Sequence, residues 1–156
     1  MKILFPVVRY AETSPILAPF VKNMALAFGA EIHVLWVEPL MDQFLELRLR
    51  ESNEWLNEFI TDNFSDYPVQ RGNIVPGDAS KEILKYIREN QIDLVIMGTH
   101  GNKGASISFG SVTKEVIGKS PVPVLTINTH RLTKEFKKRN RDYLIDFFKN
   151  KHVIDR

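Results

Sequence analysis

Two glycines three apart, Gly98 and Gly101, and a third followed by a hydroxyl, Gly110-Ser111, are the residues of this chain whose types and spacing could do chemistry. That chemistry would be anion binding. Glycine lets the main chain approach a phosphate closely, and the free N–H groups at a helix start favour negative charge. The segment also stands where such a loop must stand. It follows the buried-strand run Asp93-Leu-Val-Ile-Met97 and precedes the helix-like Lys114-Glu-Val-Ile-Gly-Lys119. Other chemistries find less support. The P-loop form GxxxxGK[ST], the dinucleotide form GxGxxG and the nucleophile elbow GxSxG are all absent. Acid–base catalysis needs titratable groups gathered at one place, and the four histidines are scattered. His33 lies within a strand-like run, His130 and His152 lie in or near the C-terminal segment, and only His100 is in the glycine loop. With no cysteine there is neither a disulfide framework nor thiolate ligation of a metal.

The elements that must position this loop alternate along the chain. Lys2-Ile-Leu-Phe-Pro-Val-Val8 is an apolar run of the kind that forms a strand buried on both faces. Ser14-Pro15 is a helix start, with a capping residue and then proline at the first helical position. That helix runs to Phe28 and stops at Gly29, and Pro19 should disturb its first turns. Glu31–Val37 reads as a second strand, closed by Pro39. From Met41 to Phe64 the spacing predicts one long helix, with Phe44, Leu45, Trp55, Leu56, Phe59 and Ile60 on one face. Val69–Val75 reads as a third strand, Ala79–Asn90 as a helix, Asp93–Met97 as a fourth strand and Pro123–Ile127 as a fifth. Strands separated by helices pair in parallel through right-handed crossovers. The fold class is therefore α/β: a five-stranded parallel sheet sandwiched by helices, doubly wound and Rossmann-like, with a C-terminal amphipathic helical extension. A ligand site is expected beyond the carboxyl ends of the strands, where strand order reverses.

A chain of 156 residues with 44% hydrophobic and 26% charged residues is ordinary for one soluble domain. Its start has no signal-peptide layout and no apolar run reaches membrane-spanning length, so a cytoplasmic protein is expected. The net charge of +2 hides an asymmetry. From Arg131 onward nine basic residues face four acidic ones, a surplus of five, while the preceding 130 residues carry a deficit of three. An acidic body with a basic tail gives the tail a role of its own.

Taken jointly, several segments resemble the universal stress protein family. They are Ile3-Leu-Phe-Pro6, Phe28-Gly-Ala-Glu-Ile-His-Val34, Gly77-Asp-Ala-Ser-Lys-Glu-Ile83, Asp93-Leu-Val-Ile-Met-Gly-Thr-His-Gly101, Gly110-Ser-Val-Thr-Lys-Glu-Val116 and Pro121-Val-Pro-Val-Leu125. The resemblance covers residues 1–128 and leaves 129–156 as a separate extension. It implies a nucleotide-binding regulatory protein of the stress response, holding ATP or AMP, with Mg as companion ion, and not an enzyme. The family's binding pattern, G-x2-G-x9-G-[ST], places Gly98, Gly101, Gly110 and Ser111 on the phosphates. Val112 and the main chain near Val37 would lie by the ribose and adenine. Pro6, Val7 and His100 complete the implied set. Two departures stand out: eight residues, not nine, separate Gly101 from Gly110, and Val8 or, with a shifted gap, Arg9 occupies the position where the family has an aspartate that meets ribose or base. Arg9 beside it would supply a cation to phosphate or stack on adenine.

Other readings stay open. One is a non-binding dimeric scaffold of the same family. Another is a slow ATP hydrolase or nucleotidyl transferase, for which Asp78 is the one acid near the loop and the signatures HxGH and SGGxDS are missing. The resemblance implies a homodimer through the last strand, whose exposed edge invites pairing, and an unidentified protein partner fits the scaffold reading. In the tail, Leu132, Phe136, Tyr143, Leu144, Phe147 and Phe148 form an apolar stripe. Lys134, Lys137, Lys138, Arg139, Arg141 and Lys149 fill much of the rest. Packing on the body or on a partner subunit is the first expectation. Peripheral contact with an anionic membrane is the second, and nucleic-acid binding the weakest, given the acidic body.

Overall fold

The first apolar run forms β1 (Lys2–Pro6), and its three central residues, Ile3, Leu4 and Phe5, have no exposed surface. Only a strand covered on both faces reads this way. The computed structural model describes residues 1–9, 11–40, 43–71, 74–99 and 109–142. After β1 come α1 (Thr13–Phe28), β2 (Glu31–Leu35), β3 (Val37–Glu38), α2 (Leu45–Phe64), β4 (Val69–Arg71) and β5 (Val75–Pro76). The chain continues through α3 (Ala79–Glu89), β6 (Leu94–Gly98), α4 (Ser111–Lys119) and β7 (Val124–Ile127). The main sheet has the order β4-β2-β1-β6-β7 with every pairing parallel. Strand order reverses between β1 and β6, which makes their carboxyl ends the switch point.

Each face of the sheet carries its own core. On one, Ile3, Phe5, Ile32, Val34 and Ile96 meet Leu17, Val21 and Ala25 of α1 and Leu56, Phe59 and Phe64 of α2. Phe5 lies 6.3 Å from both Phe59 and Phe64, a tilted aromatic cluster. On the other, Leu4, Leu35, Val95 and Met97 meet Ile83, Leu84 and Ile87 of α3 and Val116 of α4. Alternate residues of β1 therefore point into opposite cores, as strand geometry requires.

Several elements differ from expectation. Pro19 does not disturb α1, which is continuous. The bond its missing N–H forfeits would have gone to the carbonyl of Pro15, an exposed position where water can take it. The second expected strand is two. The chain breaks at Trp36, and β3 pairs with β5 in a separate two-stranded sheet. The expected strand Val69–Val75 divides for the same reason: β4 stays in the main sheet against β2 while β5 leaves with β3. The helix expected from Met41 begins at Leu45, because Phe44 adopts a left-handed conformation (φ 70°) at its cap and is exposed rather than on the inner face. Gly29 ends α1 in the left-handed conformation (φ 59°) expected of it, and its N–H bonds Leu26 O at 3.4 Å.

Beyond β7 the chain makes a 3-10 turn (Thr129–Arg131), and residues 134–142 are helical. This segment lies on α1: the Phe136 ring is 6.3 Å from that of Phe20, and the Asn23 amide donates to the Asn140 carbonyl at 3.1 Å. Leu132 and Phe136 line a groove against Pro15, Ile16 and Phe20. Packing on the body is thus what the described part of the stripe does. Tyr143, Leu144, Phe147, Phe148 and Lys149 lie outside the described residues.

Candidate functional site

At the switch point a cleft of about 310 Å³ opens. β1 contributes Phe5 and Pro6, and the residues after it, Val7 and Val8, form one wall. Leu35, Trp36, Val37 and Pro39 come from β2, β3 and their exit, while Met97 and Gly98 end β6. Thr13, Ser14 and Leu17 face in from α1, Ala79 and Ile83 from α3, and Val112 and Thr113 from α4. Five expected residues, Pro6, Val7, Val37, Gly98 and Val112, therefore share one cavity. Gly110 and Ser111 stand at its α4 end as the cap and first residue of that helix. His100 and Gly101 lie outside the described residues.

The start of α4 is built for an anion. The first N–H groups of a helix have no intrahelical partner, and among the described residues no side chain caps this one. Gly110 holds its place by donating its N–H to the carbonyl of Thr99 at 2.9 Å. Thr113 ties the helix to the strand end by donating its hydroxyl to the carbonyl of Gly98 at 3.1 Å. Such an end suits an anion, and the remainder of the cleft is apolar.

The β1 exit departs from the expectation for Arg9. Its guanidinium donates to Ser52 Oγ at 3.0 Å and to Glu51 Oε2 at 3.3 Å, both on α2. Val8 occupies the exit with its N–H donating to Ser14 Oγ at 2.8 Å, and the Val7 N–H donates to the Leu35 carbonyl at 2.9 Å. Among the described residues no charged side chain lines the cleft.

Two carboxylates stand close by and are engaged elsewhere. Glu38, only 2% exposed, accepts from Arg48 Nη2 at 2.7 Å, from Trp36 Nε1 at 3.0 Å and from Ser52 Oγ at 2.5 Å. A buried charge needs such partners, because removing it from water is otherwise prohibitive. Asp78 caps α3, accepting from Lys81 N at 3.1 Å and from Ser80 Oγ at 2.7 Å. The Ser80 hydroxyl and then the Lys81 amide hold its carboxyl below the usual range. Ser80 Oγ is also 2.6 Å from Glu115 Oε2, so one hydroxyl proton serves two carboxylates in turn. Glu115 is held low first by Lys119, 2.8 Å away, and then by Ser80. Among the described residues no group of three or more His, Asp or Glu is placed to hold a metal ion.

His33 belongs to the framework. It is buried in β2, with Nδ1 2.9 Å from the Tyr86 hydroxyl and Nε2 2.8 Å from Glu31 Oε1. The sequence marked Ser14 as the cap of the first helix, but α1 already begins at Thr13 after Glu12, and the Ser14 hydroxyl fixes the β1 exit instead; Thr113, whose hydroxyl fixes the β6 exit, was missed. Thr113 had a signal, as it lies in the first turn of a helix that follows a loop. Sequence reasoning missed Glu38 altogether, since a lone acid before a proline reads as a loop residue. Among the described residues no helix is long and apolar enough to cross a membrane.

Known proteins share this fold. The family model of the universal stress protein family matches residues 1–128. Universal stress protein C of Escherichia coli O6:H1 is 31% identical over 104 residues, which span 67% of this chain and 71% of that protein. Its counterpart in Salmonella typhimurium is 29% identical over 107 residues, spanning 69% and 73%. Among solved structures, the Methanocaldococcus jannaschii protein MJ0577 superposes with a TM-score of 0.68 at 31% identity, covering 85% of this chain and 97% of that one. An Archaeoglobus fulgidus universal stress protein in complex with dAMP gives 0.67 at 20% identity, covering 82% and 98%. With the family model spanning most of its length, the chain belongs to the universal stress protein family.

Proposed function

We propose that this protein binds an adenine nucleotide, ATP or AMP, in the switch-point cleft and acts as a regulatory protein of the stress response rather than as an enzyme. One observation carries the reading: an apolar cavity the size of a base and sugar runs up to a helix start that no side chain among the described residues caps. Phosphates would take the N–H groups and dipole of α4, and the base would lie among Val37, Ile83 and Met97. The Archaeoglobus fulgidus neighbour in complex with dAMP supports this, since its fold accommodates a nucleotide. Mg would be carried on the phosphates. Occupancy would bias which partner the protein meets in the cytoplasm. We place a homodimer contact at β7, the sheet edge, where Val124, Leu125 and Ile127 are half-buried in the single chain. The extension from residue 129 is proposed as a separate helical unit that packs on α1.

Gentle purification, acid extraction and nucleotide analysis of the extract test the reading. Bound ATP or AMP is the expected result. An empty extract, with no thermal shift at millimolar ATP, would contradict it. One feature favours a second reading, a dimeric scaffold that binds no nucleotide: Val8 leaves the β1 exit without an acidic anchor. That reading predicts an empty cleft and a stable dimer.

A further inference from the structure

The helical residues 134–142 are held off α1 by two contacts. The Phe136 ring stands 6.3 Å from that of Phe20, and the Asn23 amide donates to the carbonyl and to the side-chain oxygen of Asn140. Beside these contacts a groove of about 220 Å³ runs between the segment, the end of β7 and the first turns of α1. Its walls are apolar, with Ile16, Phe20, Ile127, Leu132 and Phe136 facing in. Water between such walls finds few partners, so an apolar chain displaces it favourably. One edge is cationic: Lys137 and Arg141, one helical turn apart, line the groove as well. Residues 134–142 carry five basic side chains against two acidic ones, a surplus that draws anions to this face. Among the described residues, Leu17 is the one lining residue shared with the switch-point cleft.

We propose that this groove binds a free single-chain carboxylate of medium length, a fatty acid of about eight carbons. The chain lies between α1 and the helical segment, and the carboxylate meets Lys137 and Arg141. The site stands whether or not the cleft holds a nucleotide. Its length preference follows from volume. An apolar cavity of about 150 Å³ takes benzene, about 25 Å³ per carbon, so this groove takes about eight or nine carbons. Each methylene buried should tighten binding by up to about fourfold until the groove is full. Two cations at a partly exposed edge favour a carboxylate over an alcohol by about three- to thirtyfold.

Calorimetric titration of the full-length protein with hexanoate, octanoate, decanoate and dodecanoate, and with octan-1-ol as the uncharged control, tests the proposal. Octanoate is expected to saturate with a dissociation constant below about 1 mM, and affinity should climb to octanoate and level off by dodecanoate. Affinity that keeps rising about fourfold per methylene through dodecanoate would mean adsorption to an unbounded surface and overturn the proposal. No saturable binding of octanoate, or binding only to phosphatidylglycerol vesicles, would overturn it too. In Lys137→Glu/Arg141→Glu, with folding checked by circular dichroism, octanoate should lose its advantage over octan-1-ol. A folded double variant that keeps that advantage would overturn the assignment of this groove, while the chain-length series tests it on the unaltered protein.

Discussion

Replacing Gly110 by valine separates the binding role of the α4 start from its structural role. Gly110 has φ −62° and ψ 160°, a region open to every residue, so the substitution stores no backbone strain. Among the described residues the nearest atom to an added Cβ is the Thr99 carbonyl oxygen at 3.5 Å, an ordinary contact. Valine is a poorer cap than glycine by about 1 kcal/mol, but it also narrows the unfolded ensemble by about 0.4–1 kcal/mol. The net change in stability is therefore within about 1 kcal/mol, or about 2–4 °C in Tm for a chain of this length. Binding should respond quite differently. A branched side chain beside the first N–H groups of α4 keeps a phosphate from reaching them, and each lost bond to a charged group costs about 1.5–3 kcal/mol. The dissociation constant for ATP should rise by about ten- to a hundredfold. Thermal unfolding and calorimetry on the same preparation read both quantities. Unchanged affinity in a folded Gly110→Val protein would refute the phosphate assignment. A fall in Tm far beyond that range would refute the structural reasoning about this position.

Three further outcomes are expected. Glu38→Ala removes the acceptor of three donors, and because Arg48 is partly exposed and can turn to water, the loss should be about 2–4 kcal/mol in urea unfolding. A loss below about 1 kcal/mol would mean that the network is no better than its hydrophobic replacement. Truncation after Asn128 removes Leu132 and Phe136 from α1 and should lower stability by about 1–3 kcal/mol, read as a reduced urea midpoint; an unchanged midpoint would strip the tail of its packing role. Asp78 and Glu115 are both held below the ordinary carboxyl range, so their contribution is present at neutral pH and lost as pH falls through their folded values. Ser80→Ala should flatten that acid-side decline in stability, and an identical pH profile would show that the shared hydroxyl has no such effect.

The parallel sheet was legible because its strands are buried on both faces. Runs such as Ile3-Leu-Phe5 and Val95-Ile-Met97 have no other stable place in a chain of this length. The glycine loop's neighbours were legible for a related reason. A strand end, a cap glycine and a hydroxyl at fixed spacing predict a helix start facing a crevice, and Gly98, Gly110 and Val112 stand there. What escaped was tertiary. Nothing local announces that the chain breaks at Trp36 so that Val37 and Glu38 pair with Val75 and Pro76, because that choice belongs to sheet twist and a partner strand far along the chain. Phe44 reads as a core residue by period, yet its left-handed cap conformation turns it to solvent. Arg9 showed the same limit: its charge was visible, but its engagement by Glu51 and Ser52 depends on where α2 packs.

Calorimetric titration of the nucleotide-free full-length protein with ATP tests the central claim most directly. A saturable dissociation constant in the micromolar range, a binding free energy of about −8 kcal/mol, is the predicted result. No saturable heat at millimolar ATP would contradict the account and leave the cleft as a feature of the fold alone.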